Sequence, residues 1–389
     1  MLSHTTPKNI PKYKVINMNN KKYAEQYCTE RGLQPSTQRK VTLVLNHYTQ
    51  YQETPLQELL DEADKEEEDG VRWKRRKLKR RLINYMNHCK NTMLLSSAKS
   101  YVQIILAFYT HNEIEIGTLP RWNTKNANIP EPITSKDMLT KEIIREALKI
   151  ANPVMTCIIL TEASSGMTRS DVLDLTIDQY LTATYPYHHK NNIQEATEYM
   201  LNTEKDIIPT FHLRRSKNNK YFITFISPEA NTEICKYLRL RDKRNHKYHR
   251  RLLTREDKLF KLNKSTYIDK FGELNTQLNK GRVGSYNRFR GHMLRKFHAT
   301  QLEKHGMNRY MVNVLQGKSN GSVDDVYFIE DEDTLRREYL NALEGVLIYT
   351  DVKEVDKYSP EYLELENENK ELKENLRNII DRIERLENG

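Results

Sequence analysis

The chain has 389 residues, enough for two or three domains of ordinary size, each with its own core. Hydrophobic residues make up 37% and charged residues 30%, and 63 Lys and Arg against 53 Asp and Glu give a formal net charge of +10, which suits a well-solvated helical protein and makes a polyanion the first partner to test. No run approaches the ~18 apolar residues of a membrane span, MLSHTTPKNIPKYK lacks the apolar core of a signal peptide, and Cys28, Cys89, Cys157 and Cys235 stand far apart without zinc spacing; the composition reads as a soluble cytoplasmic protein with reduced thiols and no membrane partner.

Residues 1 to 18 are polar and carry two prolines, which predicts a flexible N-terminal arm. From residue 19 to about 118, apolar residues recur at helical spacing, as at Tyr23 and Tyr27 and at Val41, Leu45 and Tyr48, so a small helical domain is expected. Inside it, DEADKEEED (61 to 69) gives way through Gly70 to RWKRRKLKRR (72 to 81). On a helix running into LINYMNHC, Trp73, Leu78, Leu82, Tyr85 and Met86 can turn inward, leaving Arg72, Lys74, Arg75, Arg76, Lys77, Lys79 and Arg80 to face outward. Such a face can neutralise several DNA phosphates, although the neighbouring acidic run could instead be its intramolecular partner. No base-reading signature accompanies it.

LPRWNTKNANIPEPITSKD (119 to 137) holds three prolines and little periodicity, as a linker does. A second domain, 138 to 347, begins with the amphipathic LTKEIIREALKIA and the apolar VMTCIILTEASSGM. FHLRRSKNNKYFITFI (211 to 226) alternates apolar and polar residues on both sides of Asn218 and Asn219, which predicts a β-hairpin with Lys217 at the mouth of its turn. Ser227 and Pro228 then supply an N-cap and a first-turn proline for another helix. The expected class is mainly α with a small β-sheet, α+β.

In HMLRKFHATQ, His292 and Arg295 stand at i and i+3 and can reach a single group. Taken alone, that pair is weak evidence. The spacing of His292, His298 and His305 does not fit a helical metal pair, and no metal or other cofactor is expected. A helix carrying Met311, Val314 and Leu315 ends at Gly317, placed as a C-cap; Lys318 follows, and Tyr327 lies nine residues further on in DDVYF.

In this order the residues resemble the catalytic domain of the tyrosine recombinases, the phage-type integrase family. Its H-x-L-R box corresponds to His292-Met293-Leu294-Arg295; its L-G-H helix end and the tyrosine nine residues beyond correspond to Leu315-Gln316-Gly317-Lys318 and Tyr327. The upstream T-G-L-R-x-x-E-L box is similar to SSGMTRSDVLDLT, whose only arginine is Arg169, and the family's hairpin lysine corresponds to Lys217. The resemblance runs over roughly residues 20 to 347 and points to the variety found in archaeal chromosomes and their mobile elements. Three positions depart from the pattern: Arg169 comes one residue late with Thr168 in the usual arginine position, Lys318 replaces histidine or tryptophan, and Lys296 replaces a second histidine.

The resemblance implies a helical, SAM-like core-binding domain, a linker and a catalytic domain that clamp double-stranded DNA attachment sites. It also implies metal-independent strand transfer through a 3′-phosphotyrosine on Tyr327, with Arg169 and Arg295 on the phosphate, His292 as base, Lys217 as acid and Lys318 steadying the phosphate or leaving group. Integration and excision of a viral or plasmid element is the role expected; a chromosome-dimer-resolving recombinase or a catalytically inactive DNA-binding relative are the alternatives.

Residues 358 to 389 carry a 4-3 repeat through Tyr358, Tyr362, Leu365, Asn369, Leu372, Leu376, Ile379, Ile383 and Leu386. This predicts a coiled-coil tail and a homo-oligomer, with Asn369 a buried polar position favouring two strands; a single helix folded on its own domain is the other reading. The family resemblance implies a tetramer on DNA.

Overall fold

The computed structural model describes residues 12–124, 127–215, 219–318, 331–349, 368 and 372, without the side chains of 12–19. The chain divides into two units, Met1–Pro132 and Ile133–Gly389. Mainly helical, with two small hairpins, it has the expected class. No helix among the described residues is long and apolar enough to cross a membrane.

Among the described residues the first unit has five α-helices: α1 (Lys12–Glu30), α2 (Pro35–Gln52), α3 (Leu56–Glu68), α4 (Lys77–Thr92) and α5 (Leu95–His111). The first covers residues 12 to 18 of the stretch expected to be an arm; residues 1 to 11 lie outside the described residues. Pro35, with its fixed φ, opens the second. Val41, Leu45 and Tyr48 on α2 meet Leu82 and Tyr85 on α4 and Ile105 and Phe108 on α5 in one core. The buried tyrosines satisfy their polar ends within it: Tyr48 Oη lies 3.2 Å from Tyr109 Oη, and His47 Nδ1 lies 2.9 Å from Tyr85 Oη.

Both ends of the expected linker are folded into the unit beside them. Leu119 and Trp122 pack against the first core, and Asn128 O accepts from Leu95 N at 2.9 Å. At the other end, Thr134 and Asp137 form a capping box around a short 3₁₀ turn, and Arg288 donates to Lys136 O (2.5 Å), Asp137 O (3.2 Å) and Met138 O (3.2 Å).

The second unit contains α6 (Lys141–Ile150), α7 (Pro153–Ser165), α8 (Arg169–Asp174), α9 (Ile177–His188), α10 (Ile193–Asn202), β1 (Thr210–Arg214), β2 (Tyr221–Phe225) and α11 (Pro228–His249). After these come α12 (Lys264–Gln277), β3 (Arg282–Val283), β4 (Tyr286–Asn287), α13 (Gly291–Lys304), α14 (Arg309–Leu315), α15 (Glu332–Asn341) and α16 (Leu343–Val346). Helix α7 is the centre. It is buried on nearly every side, which explains why Glu162 is its only charged residue, and it packs against both α11 and α13.

The β1–β2 hairpin pairs Thr210 with Phe225 through Arg214 with Tyr221. Beyond the paired strands Arg215 N donates to Lys220 O (2.9 Å), and Asn219 takes the left-handed conformation, φ 54°, while Asn218, the other residue of the expected turn, lies outside the described residues. Lys217 lies outside the described residues. The β3–β4 hairpin was not expected; each of its strands has two residues, too few for alternation to show. Arg336 on α15 is buried and holds that helix to the segment before β1 by donating to Ile208 O (3.2 Å) and Tyr187 Oη (2.7 Å).

Candidate active site

The site forms where α7 ends. Gly166 takes φ 63°, and a Cβ there would come within 2.6 Å of His298 Nδ1 and 2.8 Å of Gln316 Nε2, so both backbone and space demand glycine. The next turn restarts the helix. Thr168 is the N-cap of α8: its hydroxyl accepts from Asp171 N, while Asp171 Oδ2 accepts from Thr168 N (2.9 Å) and Oγ1 (2.7 Å). Thr168 is therefore committed to capping, and Arg169 becomes the first residue of the helix, half-buried at the edge of a cleft.

Helix α13 supplies the facing wall. Arg295 is buried, and its guanidinium donates to Gly166 O and, at 2.7 Å, to Gln316 O, tying the ends of α7 and α14 to α13. Burial, and then the positive charge of Arg215, lower its pKa to about 10, so it remains protonated at neutral pH. Both acceptors are neutral carbonyls, which leaves the cationic charge available to an anion. His292 is exposed on the same helix; desolvation and the charges of Lys296, Arg290, Arg295 and Lys318 push its pKa down. At neutral pH it is an uncharged imidazole able to accept a proton.

Lys318 follows the left-handed Gly317 (φ 59°) that closes α14, with Gly317 N donating to Val314 O (2.8 Å) and Lys318 N to Asn313 O (2.9 Å). The hairpin connection holds this segment: Arg215 donates to Gly317 O at 2.9 Å and Lys220 Nζ to Lys318 O at 3.0 Å. Desolvation, and then Arg295, lower the Lys318 pKa. Tyr327 lies outside the described residues, as do residues 358 to 389 except Glu368 and Leu372; Leu372, an expected seam position, is exposed.

Arg169, His292 and Arg295 thus line a single cleft of about 520 Å³, together with Thr168, Tyr267 and Arg290. Arg290 was not anticipated; it stands over the Tyr286 ring at 4.7 Å, and nothing in NRFRGH sets it apart from its basic neighbours. Gln316 was also missed. Its side chain donates to Arg295 O (3.0 Å) and its amide nitrogen lies 3.0 Å from the buried His298, whose pKa burial pushes down to about 3. Another hollow, of about 410 Å³ between Asn152–Val154 and Tyr237–His249, contains none of the candidate residues.

In the first unit the basic run is a 3₁₀ turn (Trp73–Arg75) followed by a break, with the helix beginning only at Lys77. Arg72, Lys74, Arg75, Lys77 and Arg80 are exposed and Lys79 is half-buried. Arg76 corrects the expectation of an outward row. It is buried, paired with Glu67 at 2.6 Å and donating to Val71 O at 2.9 Å, because the extended backbone at the break turns its side chain inward. The acidic run is indeed a partner for part of this segment: Glu62 receives a bidentate pair from Arg81 (3.0 and 3.1 Å) and lies 3.7 Å from Lys77, while Glu66 accepts from Lys77 N at 2.9 Å.

No family model and no curated protein matches this sequence. Among solved structures, the chain is similar to the XerH site-specific recombinase bound to difH substrate (15% identity, TM-score 0.47, covering 86% of this chain and 89% of that one). It is also similar to the Tn1549 transposon integrase in complex with transposon right end DNA (15%, TM-score 0.45, 82% and 98%) and to a lambda integrase dimer bound to a COC′ core site (11%, TM-score 0.37, 83% and 84%). At these identities and scores, nothing about the chemistry follows from the likeness.

Proposed function

We propose that the chain is a site-specific DNA recombinase of the tyrosine class, of the variety found in archaeal chromosomes and their mobile elements. The observation that carries this reading is the convergence of Arg169, His292 and Arg295 on one cleft. Two guanidinium groups and a neutral imidazole form a donor set suited to a phosphodiester: planar, permanently charged forks for nonbridging oxygens that gain charge, beside a proton acceptor.

In the proposed reaction the Tyr327 hydroxyl attacks the scissile phosphorus. The bond from Tyr327 Oη to phosphorus forms and the bond from phosphorus to the 5′-oxygen breaks, so the phosphodiester energy is conserved in a 3′-phosphotyrosine. A tyrosine hydroxyl titrates near ~10 and needs a base; His292, kept neutral by desolvation and then by its cationic surroundings, takes the proton. Lys217 protonates the leaving 5′-oxygen, and Lys318, anchored through its backbone by Lys220, steadies the phosphate or leaving group. Attack by a 5′-hydroxyl of the partner strand reverses the step and joins the new ends.

The exposed cations Arg72, Lys74, Arg75, Lys77 and Arg80, with Lys79, contact DNA phosphates from the first domain. The tail joins copies of the chain, which act together on attachment sites to integrate and excise a mobile element. The test is a suicide duplex carrying the attachment site, incubated with chelator: wild type gives a denaturation-resistant protein–DNA adduct and Tyr327→Phe gives none. A duplex that binds wild type yet yields no adduct refutes the reading.

A further inference from the structure

Arg169 stands one residue beyond the usual arginine position, so something other than the α8 backbone has to orient it. Its guanidinium carbon lies 6.0 Å from the centre of the Tyr267 ring, at the limit of cation–π reach. Tyr267, on α12, is 4% exposed, and its hydroxyl donates to Glu162 Oε1 at 2.6 Å. Glu162 is fully buried in the last turn of α7, and its Oε2 has no partner.

The first residue of α13 is shaped around this pair. A Cβ on Gly291 would lie 1.9 Å from Tyr267 Oη and 2.5 Å from Glu162 Oε2, so any other residue there would displace the phenol and carboxyl. Three elements thus meet at one buried acid. A carboxyl with an unsatisfied oxygen is a costly way to fill a core that Leu or Met would fill. Its position, between the cleft-lining Tyr267 and the helix start that bears His292, gives the cost a reason.

We propose that Glu162 and Tyr267 are positioning residues: Glu162 fixes the Tyr267 ring, and the face of that ring directs the displaced Arg169 guanidinium to the scissile phosphate. This inference rests on the DNA-cleavage reading. The charged and titratable groups facing Glu162 are Tyr267 on α12, Arg169 and Asp171 on α8, and Arg295 on α13. Burial outweighs the pull of the tyrosine and the two arginines and raises the carboxyl to about 8. At neutral pH it is therefore mostly protonated. It holds the ring without neutralising the arginines that the phosphate requires.

The test measures the rate of covalent adduct formation on the suicide duplex, with thermal unfolding and DNA affinity measured alongside. Tyr267→Leu is expected to slow the adduct about tenfold, within the range of a cation–π contact, and Tyr267→Phe, which keeps the ring but loses its tether, by less. In an Arg169→Ala background, Tyr267→Leu should add no further loss beyond about twofold. Glu162→Gln, which retains an acceptor, should preserve the rate near pH 7 where Glu162→Leu slows it. If Tyr267→Leu is unfolded, the same cycle is run with Tyr267→Phe and Glu162→Leu.

Losses that multiply with Arg169→Ala, or a folded Tyr267→Leu protein at the wild-type rate, overturn the inference while leaving the recombinase reading intact. Failure of wild type itself to form an adduct overturns both.

Discussion

Replacing Arg295 by lysine keeps the charge and removes the fork. In the native chain the guanidinium donates to Gly166 O and to Gln316 O, so one buried group joins the end of α7 to the end of α14. A lysine ammonium on a flexible stem serves one of these carbonyls and strands the other, at a cost of about 1–3 kcal/mol. Catalysis should lose more, because the planar fork is also what matches two nonbridging phosphate oxygens. Removing one pre-organised donor to a developing oxyanion typically slows a reaction about 10²–10³-fold, or about 3–4 kcal/mol. Denaturant unfolding of Arg295→Lys should therefore show a modest loss of stability, and adduct formation, measured where the variant is folded, should fall about 100-fold or more. An adduct rate within about threefold of wild type would refute the assignment of Arg295 to the phosphate. Unchanged stability would refute the account of its tie to the two carbonyls.

The basic segment separates two kinds of cation. Arg76→Ala should destabilise the first unit by about 3 kcal/mol in a chemical melt, since it leaves Glu67 without its buried partner; Arg72→Ala or Arg75→Ala should leave stability within about 0.5 kcal/mol and reduce the slope of log affinity against log salt by about one. Glu162, raised from 4.5 to about 8, gives the fold stability that is complete below pH 4.5 and is lost as pH rises through 8, by about 5 kcal/mol in total; the pH dependence of unfolding should be flatter in Glu162→Gln by that amount. Because the His292 pKa is lowered, its base form persists below pH 6.5, and the adduct rate should fall only on further acidification, a limb that His292→Gln abolishes. A chain shortened to end at Lys357 should sediment with fewer copies per particle than the full chain, whereas an unchanged number of copies would remove the tail from the assembly.

Much of the architecture is legible in local chemistry. Helix α6 is amphipathic, Ser227 and Pro228 cap and open α11 as their types require, and Gly317 takes the left-handed turn that ends α14. Arg169, His292 and Arg295 could be singled out from their order along the chain, whereas Arg290, which lines the same cleft, could not. What could not be read depends on tertiary neighbours. Arg76 has the same side chain as the exposed Arg75, and only the backbone break between the 3₁₀ turn and α4 turns it inward. Tyr267 is 105 residues from the carboxyl that holds it, a pairing no spacing encodes. Glu162 did leave a trace: it is the lone charged residue in the run VMTCIILTEASS, and a helix buried on every side gives such a residue no route to solvent. Nor could spacing show that Thr168, just ahead of Arg169, has its hydroxyl and backbone amide both engaged by Asp171.

In the proposed reaction Tyr327 becomes covalently joined to a DNA 3′-phosphate. The direct measurement is to trap the adduct with chelator present, trim the DNA with nuclease, digest the protein and locate the nucleotide-bearing residue by fragment-ion mass spectrometry. The expected product is a nucleotide 3′-phosphate on Tyr327, with a free 5′-hydroxyl on the released strand. A nucleotide on another residue, or linkage through a 5′-phosphate, would contradict it.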